Sequence, residues 1–275
     1  MNAEKLALIE QLTVAAKIIA DMTREADTSI MISNSEWTVA DTVAHVIVTQ
    51  QILTSLVSGK KSSYIENKND FIQEVSQKLS RDFIAELNNT FLSKFAQRNG
   101  PILAKFLLEE VRVFVKEAEK YSDDRIFTTH YGKMTLLELY SYCLAHLMIH
   151  GCAVAKTLNR PLPITKKGAA LTVPFTKIIM LRLFDKKAAK DFTANFVVHL
   201  RGVEKFTIIC DKGKIKVENT LPQKVDCYIS AAPLEFFLVS TGVTSKWLPI
   251  FTGKFFLYGR KPWLAFRLQT LFQSL

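Results

Sequence analysis

Three histidines have the types and spacing that metal chemistry requires. The chain holds five, at positions 45, 130, 146, 150 and 199. His146 and His150 stand four apart within an apolar run, Leu144-Ala145-His146-Leu147-Met148-Ile149-His150. Helical spacing puts both on one face, a turn apart, where two imidazoles reach one ion. His45, in Ala44-His45-Val46, lies in a second apolar run, and an imidazole buried without a partner is costly. Three neutral imidazoles leave positions open for water or substrate, as in a catalytic rather than a closed structural metal site. The competing reading is polar residues along helix edges, and the spacing alone leaves both open.

Other polar residues surround this set. Cys143 and Tyr142 precede His146 by three and four residues and share its helical side, where packing is the simpler role. His130 falls in the turn His130-Tyr131-Gly132, where it either reaches the site cavity or, the simpler reading, sits at the surface. His199 falls on a predicted strand as a structural residue, and Trp37 is expected to anchor a helix start. Cys143, Cys152, Cys210 and Cys227 form no C-x-x-C pair, which suits a reduced, cytoplasmic protein.

The elements that must position the histidines are helical. Leu8, Ile9, Leu12, Ala15, Ala16, Ile19 and Met22 mark one face of a helix over 6–26. Thr38 with Asp41 forms a capping box that opens a second helix, running to Gly59 and carrying His45. Residues 62–77 read as loop plus a short helix. Ser80 opens a third helical region, broken or kinked at Asn99-Gly100-Pro101 and resuming to about Tyr121. Thr135 with Glu138 is a second capping box, starting a helix to about Leu158 that carries His146 and His150. Four main helices make a bundle, an architecture whose interior hosts metal sites.

The period then changes. After a mixed segment over 166–190, short β-rich runs at 195–200, 206–210, 215–217 and 225–229 alternate with turn residues, and Asp211-Lys212-Gly213 reads as a hairpin turn. Helices are expected at 233–239 and 245–251, a strand at 253–258, and an amphipathic helix from Lys261 to Leu275. This is an α+β layout. Charge divides at the same place: residues 1–165 hold 18 Lys and Arg against 19 Asp and Glu, whereas 166–275 hold 18 against 7. A basic second half suits an anionic partner, either a membrane surface or an acidic small molecule. The segment 175–190, basic and amphipathic, is either a packed helix with solvated lysines or a membrane-surface element. No helix-turn-helix, zinc-finger or RNA-binding motif supports a nucleic-acid partner. No apolar run is long enough for a membrane span, and the first ten residues lack a signal-type apolar core.

Two stretches of the helical part resemble a known family. The run from Glu36 to Val46, Glu-Trp-Thr-Val-Ala-Asp-Thr-Val-Ala-His-Val, is similar to the signature of DinB-like metal-binding four-helix bundles. Ala145 to Gly151, followed by Leu158-Asn159-Arg160-Pro161-Leu162-Pro163-Ile164, resembles the last helix of the mycothiol-dependent maleylpyruvate isomerase branch. In the second part, Phe196 to Gly202, Phe206 to Ile215, Val225 to Ser230 and Thr252 to Gly259 resemble, in order, the strands of a sterol carrier protein type 2-like domain. The resemblance implies a DinB-like bundle over 1–165 and a sterol carrier-like α+β domain over 170–275.

It also implies a divalent metal, with zinc first and nickel, iron or manganese as alternatives, held by His45, His146 and His150. A low-molecular-weight thiol is the implied co-substrate, in a transferase or isomerase acting on a small electrophile. The maleylpyruvate isomerase branch often carries Glu where His146 stands, a departure that points away from a close copy of that enzyme. Arg182, Arg201, Arg260 and Arg267 are candidates to meet a substrate carboxylate. The alternative function is a non-catalytic binder of lipid or other hydrophobic ligands at anionic membranes. Neither the catalytic residues nor the oligomeric state can be read from the sequence.

Overall fold

A computed structural model describes residues 2–78 and 80–273 and divides the chain into two compact units, Met1–Phe175 and Thr176–Leu275. Helix α1 (Ala3–Glu25) is capped by Asn2, whose side-chain oxygen accepts from the Glu4 N–H. Helix α2 (Val39–Ser58) starts at the expected capping box: Thr38 Oγ1 accepts from the Asp41 N–H, and the Asp41 carboxylate accepts from the Thr38 N–H. Gly59, at φ 71°, ends α2 in the left-handed conformation that glycine tolerates best. Helices α3 (Lys68–Lys78) and α4 (Arg81–Ser93) follow. Asn99-Gly100-Pro101 separates α4 from α5 (Gly100–Ala118): Asn99 caps α5, and Pro101 occupies a first-turn position where no N–H is needed.

A hairpin of β1 (Ile126–Thr129) and β2 (Gly132–Thr135), absent from the sequence reading, leads into α6 (Leu136–Thr157). The capping box at the start of α6 pairs Thr135 with Glu138. Helix α1 packs on α5 and α6, and α2 packs on the same two helices. Leu8, Leu12, Ile19, Ile47, Leu53, Leu103, Leu107 and Phe114 are fully buried between them, each stabilising by about 1.5–3 kcal/mol. Gly151 sits where α6 packs tightly on α1: a Cβ there would lie 2.6 Å from Ile19 Cδ1 and 2.8 Å from Pro163 Cγ. Helices α7 (Lys166–Leu171) and α8 (Val173–Leu183) form within the segment expected to be mixed.

The second unit is built on one five-stranded sheet. Its strands are β3 (Thr193–Leu200), β4 (Glu204–Asp211), β5 (Lys214–Glu218), β6 (Cys227–Ala231) and β7 (Phe255–Tyr258), in the order β5-β4-β3-β6-β7. Only β3 and β6 run parallel. Lys212 (φ 45°) and Gly213 (φ 79°) both take positive φ in the β4–β5 turn, the geometry that matches the twist of a hairpin. One face of the sheet buries Phe196, Val198, Phe206, Ile208 and Cys210. Helices α9 (Pro233–Ser240), α10 (Trp247–Phe251) and α11 (Leu264–Gln269) complete the unit, with Phe236 of α9 edge-on to Phe206.

Asp226 ties the strand ends together. Its carboxylate accepts from the Asn195 N–H at 3.1 Å and pairs with Arg260 at 3.0 Å and Lys261 at 3.4 Å. The closing helix is shorter than expected. It ends at Gln269 because Phe272 forms an antiparallel bridge with Phe184 instead, and Ser274 and Leu275 lie outside the described residues. The architecture is a helical first part followed by an α+β domain.

Candidate metal centre

The capping boxes set the phase of both helices that matter. From Thr38, His45 is two turns into α2 on its buried side; from Thr135, His146 and His150 fall on the middle turns of α6. The three side chains meet. His45 Nε2 and His146 Nε2 are 3.1 Å apart, and one ligand nitrogen from each of the three histidines lies within 4.8 Å of the others. Ring centroids are 5.0 Å apart for His45–His146, 4.7 Å for His45–His150 and 4.5 Å for His146–His150. Three nitrogens ~2.0–2.1 Å from one zinc ion would stand roughly 3.3 Å apart, within the range seen here. No Asp, Glu or Cys joins this cluster among the described residues.

Burial keeps these rings neutral. It lowers His45 well below the ordinary imidazole range, with His150 adding to the effect. It also lowers His146 well below that range, helped by His150, His45 and His130. His150 is brought down to about 4 by burial. A neutral imidazole has a lone pair to give a metal, and protonation of three converging rings is disfavoured. The donor set therefore fits a divalent ion of nitrogen preference.

Aromatic residues wall the cluster. The Trp37 ring lies 5.0 Å from His45, and its indole N–H donates to Asn89 Oδ1 at 3.3 Å. Trp37 thus touches the site as well as anchoring the helix start. Tyr142 meets His146 edge-on at 6.0 Å and stacks on Phe175 at 4.7 Å. His130 is not a surface residue. It is half-buried, packed against Tyr131 at 4.0 Å, Tyr142 at 6.1 Å and Phe71 at 6.4 Å. Burial raises Tyr131 to about 12 and Tyr142 further, so both phenols stay protonated and can donate hydrogen bonds at neutral pH. The sequence offered His130 as a residue that could reach the cavity, whereas Tyr131 and Phe175 were not identified from it; the Thr129-to-Gly132 hairpin turn was the available signal for Tyr131.

The remaining candidates lie elsewhere. Cys143 is a buried packing residue whose thiol is pushed up by burial. His199 is half-buried on β3, opposite Lys205 and Ser230. Arg201 sits over the Phe256 ring at 5.4 Å and donates to the Lys254 carbonyl at 2.9 Å. Arg260 pairs with Asp226, and Arg267 lies over Phe192. Those three arginines are engaged by their own unit.

One comparison with known protein families matches the second unit. Residues 175–273 match the model of the SCP-2 sterol transfer family, which covers the sheet and helices of the second unit as the sterol carrier-like reading requires. No curated protein sequence matches the chain. Among solved structures, the mycothiol-dependent maleylpyruvate isomerase is similar at 13% identity, over 86% of this chain and 90% of that one, with a TM-score of 0.47. A variant of that enzyme gives 14%, 87%, 90% and 0.48. A stereoselective inverting sec-alkylsulfatase from Pseudomonas sp. shares 9% identity over 51% of this chain, with a TM-score of 0.34, and the match spans 25% of the sulfatase.

Proposed function

We propose that the chain is a metal-dependent enzyme that uses a low-molecular-weight thiol to transfer onto, or isomerise, a small electrophile. The observation that carries this is the convergence of His45, His146 and His150 as neutral donors inside a helical bundle. The three imidazoles hold the ion, zinc by preference, with nickel, iron or manganese as alternatives. Such an ion supplies activation of a thiol as thiolate near neutral pH. The protein side chains do the rest. Tyr142 lies edge-on to His146, and the protonated phenols of Tyr131 and Tyr142 offer hydrogen bonds to an anionic group of the substrate. Free, buried cysteines fit a reducing compartment, the cytoplasm.

The test is metal content by elemental mass spectrometry, beside a His146→Ala, His150→Ala double variant. One divalent ion per chain, lost in the variant, followed by thiol consumption with an unsaturated acid, is the expected result. Absence of metal after incubation with zinc, nickel and manganese would overturn the enzyme reading.

The family match over 175–273 favours a second role, binding of a hydrophobic ligand by the second unit. Displacement of a fluorescent fatty acid or sterol from the full chain checks it, and no saturable binding of either probe would remove it.

A further inference from the structure

The last forty residues carry no Asp or Glu and five cations, Lys246, Lys254, Arg260, Lys261 and Arg267. The same stretch exposes large apolar side chains that a folded unit ordinarily covers. Phe251 is 82% exposed, Leu248 62% and Trp247 49%, all on the single turn of α10. These positions are spaced i, i+1 and i+4, so they point to one side of the turn. The Phe256 ring, 49% exposed on edge strand β7, lies 3.8 Å from where a Cβ on Gly253 would sit and so joins the end of α10.

Cations border this face. Lys246 lies over both the Trp247 and Phe266 rings, at 5.7 and 5.3 Å, and its amine is bonded to Gln269 at 3.2 Å. Lys254 follows α10 directly, its side chain 61% exposed, with Glu235 beneath it at 3.6 Å. Glu235 and Asp226, the acids that pair with this stretch, are themselves largely buried at 15% and 11%, so the outward field stays positive.

We propose that the α10 turn and the adjoining edge of β7 form a docking surface for an anionic lipid bilayer. The acyl boundary takes a nearly bare phenylalanine beside a leucine, an indole sits at headgroup level, and the bordering cations suit acidic headgroups. Basic residues within a Debye length add attraction to acidic headgroups. The reading is independent of the histidine cluster.

The test uses the full chain in co-sedimentation with vesicles of phosphatidylcholine containing phosphatidylserine, and of phosphatidylcholine alone. Binding is expected to the anionic vesicles and to weaken strongly when salt rises from about 0.1 to about 1 M, as the Debye length falls from ~10 to ~3 Å. A Leu248→Ser, Phe251→Ser variant should bind at least about tenfold more weakly, and Lys246→Gln, Lys254→Gln should lose the preference for phosphatidylserine. Leu248, Phe251 and Lys254 are exposed and Lys246 is half-buried, and an unchanged circular dichroism melt confirms that both variants fold. Three results would overturn the proposal: no binding to either vesicle, binding that the Ser variant leaves intact, or a dimer in sedimentation velocity that the Ser variant dissolves, which would assign the face to a second copy of the chain.

Discussion

His45 Nε2 lies 3.1 Å from His146 Nε2, although the two residues are 101 apart in sequence and sit on different helices. The contact joins α2 to α6. Two neutral rings can share one proton across that gap, and a cation binding both, together with His150, would cross-link the helices.

Metal should therefore stabilise the helical unit. Zinc at about a hundred times its dissociation constant contributes roughly 2.7 kcal/mol, a rise of about 5–10 °C in the melting temperature of a domain of this size. Differential scanning calorimetry of wild type and His146→Ala, with and without zinc, checks this. A variant that gains the same increment would locate the ion elsewhere.

Asp41 links α2 to the segment before α5. Burial pushes its carboxyl up, but hydrogen bonds from Thr38 and the Arg98 guanidinium, at 2.6 Å, outweigh that and hold it below the usual carboxylate range. A depressed carboxylate stabilises the fold above its unfolded value near pH ~3.9, and this contribution is lost as pH falls through the lower folded value. Asp41→Asn should cost roughly 1–2 kcal/mol at pH 7 in urea unfolding. The difference from wild type should shrink towards pH 3; a constant difference would mean that charge is not involved.

Gly151 follows His150 directly and abuts Ile19 and Pro163. Alanine there should gain up to about 1 kcal/mol of helix propensity and lose about 1–3 kcal/mol to overpacking. Net destabilisation is expected, with weaker metal retention because the α6 backbone beside His150 must move. A melting temperature at or above wild type would contradict the tight approach of α1 and α6.

Tyr140 is fully buried, with its ring edge-on to Phe114 at 5.3 Å, and its hydroxyl has no hydrogen-bond partner among the described residues. An unmet buried hydroxyl costs about 1–3 kcal/mol. Tyr140→Phe should leave stability unchanged or raise it by about 1 kcal/mol in the same urea assay. A loss above about 1 kcal/mol would reveal a partner, such as an internal water.

The four thiols should be silent in the folded protein. Burial raises Cys152 and Cys210 to about 12 and Cys227 to about 11, with Cys143 higher still. Thiolate is the reactive form, so Ellman's reagent at pH 8 should titrate four thiols only after denaturant is added. Rapid labelling of the native chain would show that one of them is accessible.

Both capping boxes were legible in the sequence because a threonine and an acid three residues on make their hydrogen bonds locally. The apolar runs of α2 and α6 could be read for the same reason, and their phase put His45, His146 and His150 on inward faces. The sequence could not decide whether His130 faced the cavity or the solvent, because the direction of a turn residue depends on what the hairpin packs against, here Tyr142 and Phe71 from distant helices. The closing helix was over-extended because Phe272 continues its apolar pattern, while the bridge to Phe184 and the bond from the Gln273 N–H to the Leu183 carbonyl are long-range. The exposure of Phe251 was equally hidden, since an apolar spacing does not say whether a face is covered.

The separation of the histidines has a consequence in time. Ribosomes add about 5–20 residues per second, so His45 waits roughly 5–20 s before His146, 101 residues on, is made. During that interval α1, α2 and α5 can gather, but the three imidazoles do not yet coexist in the chain. A divalent ion that needs the full triad as ligands could therefore bind only once α6 has been made, never to the nascent α1–α2 segment alone.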